Sequence, residues 1–293
     1  MSEAATAFVP GHVTAFFSVH RRDDPARSGS RGAGIALSDG ATATVEPAPE
    51  TRVSLDDSGA DRGDGADRDG DAGIEPVERV LDALDVTARV GIDADLPVGA
   101  GFGVSGAAAL GTALAANRAF DRAHTENDLI RIAHVAEVEA DTGLGDVVAQ
   151  ARGGVPIRLE PGAPGNGRLD GVPETARIEY RSFGDLPTAD VVSGNTTRLS
   201  AAGESALADL GERPTLPTLF ALGRTFAREA DLLVPEVEGA IGAVLDTGGE
   251  ATMAMLGRTV VALDTGLSDA GYDAEVCRVH PGGAAPRDSE RRS

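Results

Sequence analysis

The chain has 293 residues, room for about two domains at roughly 150 residues each, and sets 26 Lys+Arg against 47 Asp+Glu for a net charge of −21. Hydrophobic residues make up 41%, enough for a buried core, while the acidity leaves no electrostatic footprint for nucleic acid or for an anionic membrane. Lysine is absent, which removes a Walker-type phosphate loop, and the single cysteine, Cys277, excludes an internal disulfide or a multi-cysteine zinc site and reads as a plain thiol.

The start, Met1 to Phe8, has neither a basic run nor a long apolar one, so no secretory leader and a cytoplasmic location are expected. The stretch 55–73 alternates Asp and Gly and reads as a disordered acidic loop. A calcium-loop reading of its Asp-Arg-Asp-Gly-Asp run is the weaker alternative to a solvated surface loop. Val86, Ala88, Val90 and Ile92 alternate with polar residues, which predicts a strand buried on one face. A glycine-rich turn then leads into a small-residue helix from about Gly106 to Phe120. Leu96 to Asn117 carries no charge but is too rich in Gly and Ala to span a membrane. Thr125 to Asp128 spells a capping box, and Leu129, Ile132, Ala133 and Ala136 form the core stripe of the helix it opens.

Gly143 to Gly145 ends that helix, and a short helix follows as far as Gly153-Gly154. Val155 to Leu159 reads as a strand, with Pro156 marking an edge or a strand start. Farther on, strands are expected at 178–180 and 189–192, helices at 216–230 and 234–246, and a hairpin over 253–263 turning at Gly257-Arg258. From Pro281 a frayed tail is expected. This mixture predicts an α+β fold in two lobes, 1–175 and 176–280, with a tail at 281–293.

The run Pro97-Val-Gly99-Ala-Gly101-Phe102-Gly103-Val104-Ser105-Gly106 carries the most information. Glycines let successive amides converge on an anion, and a helix start adds its dipole. The same run also reads as a structural turn packed close to a neighbour. Gly101, Gly103 and Gly106 satisfy the dinucleotide fingerprint in letters, but the preceding strand alternates where that fold needs one buried on both faces.

Spelled P-x-x-x-G-x-G-x-S-G-A, the loop resembles the second motif of the GHMP kinase family, whose members cradle ATP phosphates without a Walker sequence. Val9-Pro-Gly-His-Val-Thr14 stands where the family's first motif stands. Ala133 to Glu137, Gly145-Asp146 and Gly153-Gly154 match its later Glu, Asp and paired Gly, and Gly248 to Thr252 is a loose match to the third motif. The wording PGHVTAFFSVH and AHVAEVEADTGLGDVVAQARGG is most similar to the archaeal members that phosphorylate the primary hydroxyl of pantoate on the route to coenzyme A. The resemblance implies ATP and Mg2+ as cofactors, pantoate as the small-molecule substrate, and room for a homodimer. It implies phosphate binding at Gly99, Gly101, Phe102, Gly103, Val104, Ser105 and Gly106, and magnesium ligation by Ser105 and Glu137. It gives Asp146 the task of orienting the acceptor hydroxyl and taking its proton.

A hydroxy acid also needs its carboxylate held. His134 lies one helical turn before Glu137, Arg158 projects off the face of its strand opposite Val155, Ile157 and Leu159, and Ser30 can donate a hydroxyl. In a chain without lysine, an arginine fork is the natural clamp. Each of these residues has a structural reading as well: caps for Ser105 and Asp146, a solvated charge for Glu137, a packed ring for His134, a surface ion pair for Arg158 and a turn for Ser30. A sister kinase for shikimate, homoserine or mevalonate, a non-catalytic ligand-binding relative and a nucleotide oxidoreductase are the competing functions. The acid excess, with 3% aromatics, reads as a halophilic cytoplasm, or as an acidic mesophilic protein from an arginine-favouring genome.

Overall fold

The computed structural model describes residues 4–57, 75–184 and 196–287. It opens with β1 (Ala5–His20), β2 (Gly29–Pro47), β3 (Arg52–Asp57), α1 (Glu75–Ala83) and β4 (Ala88–Ala94). Then come α2 (Val104–Ala119), α3 (Glu126–Glu139), α4 (Asp146–Arg152), β5 (Val155–Glu160) and β6 (Arg168–Val172). The rest is β7 (Arg177–Ser182), α5 (Thr197–Glu212), α6 (Leu216–Glu229), α7 (Pro235–Asp246), β8 (Ala251–Ala254), β9 (Thr259–Leu263), α8 (Gly266–Asp269), β10 (Glu275–Arg278) and β11 (Ala285–Arg287).

A seven-stranded mixed sheet runs β11-β1-β2-β4-β3, with β5 joined to β2 and β6 joined to β5. The length of β2 allows this branching. Its second half pairs with β4 from Ala41↔Ala94 to Pro47↔Ala88, while Gly32 and Ala33 pair with Arg158 and Ile157 of β5. Among the described residues only β3 and β4 run parallel, so the sheet is not the doubly wound parallel sheet of dinucleotide enzymes. A second, antiparallel sheet, β10-β7-β9-β8, carries the later residues. Strand β1 pairs with β2 from Ala5↔Val45 to His20↔Gly29, with irregularities between Pro10 and His12 and between Thr14 and Phe16. Such irregularities bend a strand and re-aim its side chains, and these two bracket His12 and Thr14.

Helix α2 is buried on nearly every side, packed on β1, β2, α1 and α3, because its small residues allow close approach. A Cβ at Gly111 would stand 2.9 Å from the Ala43 Cβ. The uncharged stretch is therefore a core helix, and no helix among the described residues is long and apolar enough to cross a membrane.

The alternating strand is β4, with Ala88, Val90, Ile92 and Ala94 buried, and the Thr125–Asp128 capping box forms as expected. Helix α2 begins at Val104, two residues before the expected start. Strand β5 lies between β2 and β6, so Pro156 marks a strand start rather than an edge. Leu55, Asp56 and Asp57 belong to β3 rather than to the acidic loop, whose residues 58–73 lie outside the described ones, as does the strand expected at 189–192. Helix α5 was not anticipated, although Leu199, Ala202, Ala206, Leu207 and Leu210 supply its buried face. Ala285–Arg287 pairs with β1, so the chain beyond Pro281 is not frayed from its start. Cys277 is buried in β10 and free, and burial pushes its thiol up to about 12.

Four helices end alike. After α1, α2, α3 and α6, Asp85, Asp121, Asp141 and Asp231 adopt φ of 52°, 50°, 55° and 58°, and the next N–H returns to the carbonyl five residues back. This left-handed stop usually takes glycine. Aspartate tolerates it, but sets a carboxylate against the negative end of each helix dipole.

Candidate active site

The glycine loop reaches α2 through three left-handed glycines, Gly99, Gly101 and Gly103, at φ 79°, 91° and 65°. Gly103 caps α2, and no side chain caps that end. The first-turn amides of a 16-residue helix therefore point out of its N-terminus with the dipole behind them, an arrangement that attracts phosphate. The close-packing reading holds at the same time: a Cβ at Gly101 would meet the carbonyl oxygens of Met255 and Ala254 at 3.0 and 3.1 Å. Phe102 and Val104 turn their side chains into the core, with the Phe102 ring edge-on to Tyr180 at 4.9 Å between centroids. These two can serve an anion only through their backbones.

Asp146 opens α4 directly beside the loop, where a Cβ at Gly103 would come within 3.2 Å of its Cβ and Cγ. The cap of α4 is Gly145, so Asp146 is not engaged in capping. Its Oδ1 lies 2.7 Å from Nδ1 of His12, and 26% of its side chain is open to solvent. Burial works to raise the Asp146 carboxyl, but the His12 ring, Arg158 and the Thr14 hydroxyl together hold it below its ordinary range. Burial likewise holds the His12 ring below the usual imidazole value, partly offset by Asp146.

Arg158, on β5, is 2% exposed, and its Nε and Nη1 have no hydrogen-bond partner. Burial lowers its basicity, and Asp146 is the charge that offsets this. Ser30 and Arg158 flank Gly145 so closely that any side chain there would collide with Ser30 Oγ and stand 2.8 Å from Arg158 Nε. A guanidinium with unanswered donors beside a serine hydroxyl is built for a planar anion. The neighbouring Arg31 is already committed: it pairs with Glu204 and donates from Nε to the Leu159 carbonyl at 2.8 Å.

Glu137 is 2% exposed on α3 and accepts from Thr142 Oγ1 at 2.7 Å. Burial pushes its carboxyl up to about 7, the charge of Asp146 adds to the rise, and the Thr142 and Ser105 hydroxyls oppose it. Ser105 lies inside the first turn of α2 rather than capping it, with its hydroxyl near enough to Glu137 to favour the ionised carboxylate. No cluster of three or more His, Cys, Asp or Glu side chains suited to a metal occurs among the described residues. A cation here would take two hard oxygens from the protein and the rest from phosphate and water, which is the habit of Mg2+.

Residues 74–154 match the family described as GHMP kinases N terminal domain. A pantoate kinase of Thermococcus kodakarensis is 34% identical over 88% of this chain and 86% of its own length. The chain belongs to the GHMP kinase family. A pantoate kinase of Methanospirillum hungatei is 32% identical over 98% of both chains. A solved structure described as a phosphotransferase related to CoA biosynthesis pathway superposes with a TM-score of 0.82 at 28% identity, covering 97% of this chain and 99% of that one.

Within this GHMP kinase fold, Gly103, Ser105, Glu137, Asp146, Arg158 and Ser30 lie close together. Gly106 serves packing, since a Cβ there would meet Gln150 Oε1 at 3.0 Å. His134 is 1% exposed, with Nε2 placed 2.8 Å from the Ser28 carbonyl. Its ring is engaged with the backbone two residues before Ser30. Sequence reasoning missed His12, Thr14, Thr142 and Gln150. Two polar residues at i and i+2 inside the apolar β1 were the available signal for the first pair.

Proposed function

We propose that this chain transfers the γ-phosphoryl group of ATP to the primary hydroxyl of pantoate, giving 4-phosphopantoate and ADP. The carrying observation is Arg158, a buried guanidinium with two unpartnered nitrogens beside Ser30 and one short step from Asp146. It provides one fixed positive fork for one carboxylate. With Arg31 neutralised by Glu204, the acceptor end suits a monoanionic hydroxy acid better than an acceptor that already carries phosphate. Pantoate is favoured among hydroxy acids by the two pantoate kinases that match along most of the chain.

In this reading the amides from Gly103 to Gly106 hold the triphosphate, with Gly99 and Gly101 shaping the loop. Ser105 and Glu137 hold Mg2+, which supplies positive charge to the phosphate oxygens. Ser30 and Arg158 fix the pantoate carboxylate, and His134 steadies the turn that presents Ser30. Asp146 orients the hydroxyl and takes its proton as the hydroxyl oxygen bonds to the γ-phosphorus and the bond to the ADP oxygen breaks. A carboxylate held ionised below its ordinary range is ready as an acceptor across neutral pH. The composition supports a salt-screened cytoplasm as its setting.

The test is ADP release in molar KCl with Mg2+ across pantoate, homoserine, mevalonate and shikimate. Pantoate is expected to exceed each of the others at least about tenfold in kcat/KM; all four carry a carboxylate for Arg158, so the discrimination comes from how the rest of the acceptor fits. A better turnover of any other acceptor, or none with pantoate, overturns the assignment.

A further inference from the structure

We propose that His12 is a positioning residue for the transfer, its Nδ1–H fixing Asp146 Oδ1 so that Oδ2 is the oxygen turned toward the acceptor hydroxyl. The inference rests on the reading of Asp146 as proton acceptor. Three observations carry it. First, the contact is short, 2.7 Å, and the His12 side chain is completely buried. Thr14 Oγ1, at 3.4 Å from the same nitrogen, is a marginal partner by comparison.

Second, the ring is kept at a cost. Its Nε2 is buried without a partner, where an apolar side chain of similar size would leave nothing unsatisfied. With Asp146 accepting, Nδ1 carries the ring proton and Nε2 has no onward protein contact, so in this proposal the substrate proton stops at Asp146.

Third, the backbone is arranged to seat the ring. The two irregularities of β1 bracket His12, and its own N–H donates to the Phe102 carbonyl at 2.9 Å, which ties it to the glycine loop. On the facing strand Gly34 leaves room both for the backbone and for the ring, since a Cβ there would stand 2.2 Å from the Val13 carbonyl oxygen and 2.5 Å from Nε2.

The experiment compares His12→Asn, His12→Gln and His12→Leu in the full chain at molar KCl, with Asp146→Asn alongside. An Asn amide N–H falls near the place of Nδ1, whereas a Gln amide falls one bond farther, near Nε2. We expect His12→Asn to keep kcat within about fivefold of the parent. His12→Gln and His12→Leu should lose about tenfold to a hundredfold in kcat, the value of a hydrogen bond to a charged group, with both KM values within about threefold. Because Asn and Gln are both polar amides, their contrast still decides the matter if His12→Leu does not fold. Equal kcat for Asn and Gln, or a loss that falls on KM instead, overturns the positioning role. Asp146→Asn is expected to lose at least about a hundredfold in kcat. If it keeps a tenth of the parent kcat, the base reading fails. If it is dead while every His12 variant is active, only the present inference fails.

Discussion

The cleft's two ends are made of different material. At the loop end, the groups proposed to face an anion are the consecutive backbone amides of Gly103 to Gly106, set by left-handed glycines and by the start of α2. The proposed acceptor end is built of side chains instead, His12 and Thr14 from β1, Ser30 from β2, Asp146 from α4 and Arg158 from β5. A backbone site tolerates changes of side chain and is lost through changes of conformation. A side-chain site behaves in the opposite way, which makes the two ends separable by mutation.

Arg158→Ala should give the largest split between them. A charge-assisted contact in a water-poor cleft is worth about 1.5–3 kcal/mol, so KM for pantoate should rise about tenfold to a hundredfold, with KM for ATP moving less than about threefold. Arg158→Lys should recover only part of this, because an ammonium does not reproduce the planar fork. Equal rises in both KM values would place the clamp elsewhere.

Gly103 is the junction, and its replacement should blur the comparison. At φ 65° an alanine is strained, and its Cβ would press on Asp146 at 3.2 Å. Gly103→Ala is expected to lower kcat about tenfold and raise KM for ATP together. A change in KM for ATP alone would show that the two ends do not share this contact.

The pH response of the loop end follows from Glu137. Its carboxyl, raised to about 7 in the fold, binds its proton more tightly there than in the unfolded chain. Between the ordinary carboxylate range and pH 7 the metal-free protein should therefore lose stability as pH rises, with no further loss from this group above that window. Mg2+ needs the ionised form, so its apparent affinity should strengthen about tenfold from pH 6 to pH 8, read by Mg2+-dependent thermal shift. An affinity flat across that range, or one unchanged by Glu137→Gln, removes Glu137 from the metal site.

The smallest effect belongs to neither end. Asp121 closes α2 in the left-handed conformation against the helix dipole, so Asp121→Asn should raise the melting temperature by about 1–4 °C at low salt. The gain should vanish in molar KCl, where the Debye length is about 3 Å, and the parent itself should melt higher there. A melting temperature indifferent to salt counts against the salt-adapted reading of the composition.

Local chemistry in the sequence determined the loop end, because a run of glycines, a helix start and a serine act through neighbouring atoms. The Thr125 capping box and the alternation of β4 were legible for the same reason: each is a repeat or a contact within a few residues. The chain alone also marked Arg158 and Ser30 as candidates, but not that one glycine, Gly145, lies pressed between them. Only the tertiary structure decided that His134 turns to the Ser28 carbonyl and that His12, 134 positions before Asp146, is its partner. Those outcomes depend on where β1 bends, which face of α3 meets the turn after β1, and how β5 joins the first half of β2. They are set by packing between segments far apart in the chain, which no local pattern of residues records.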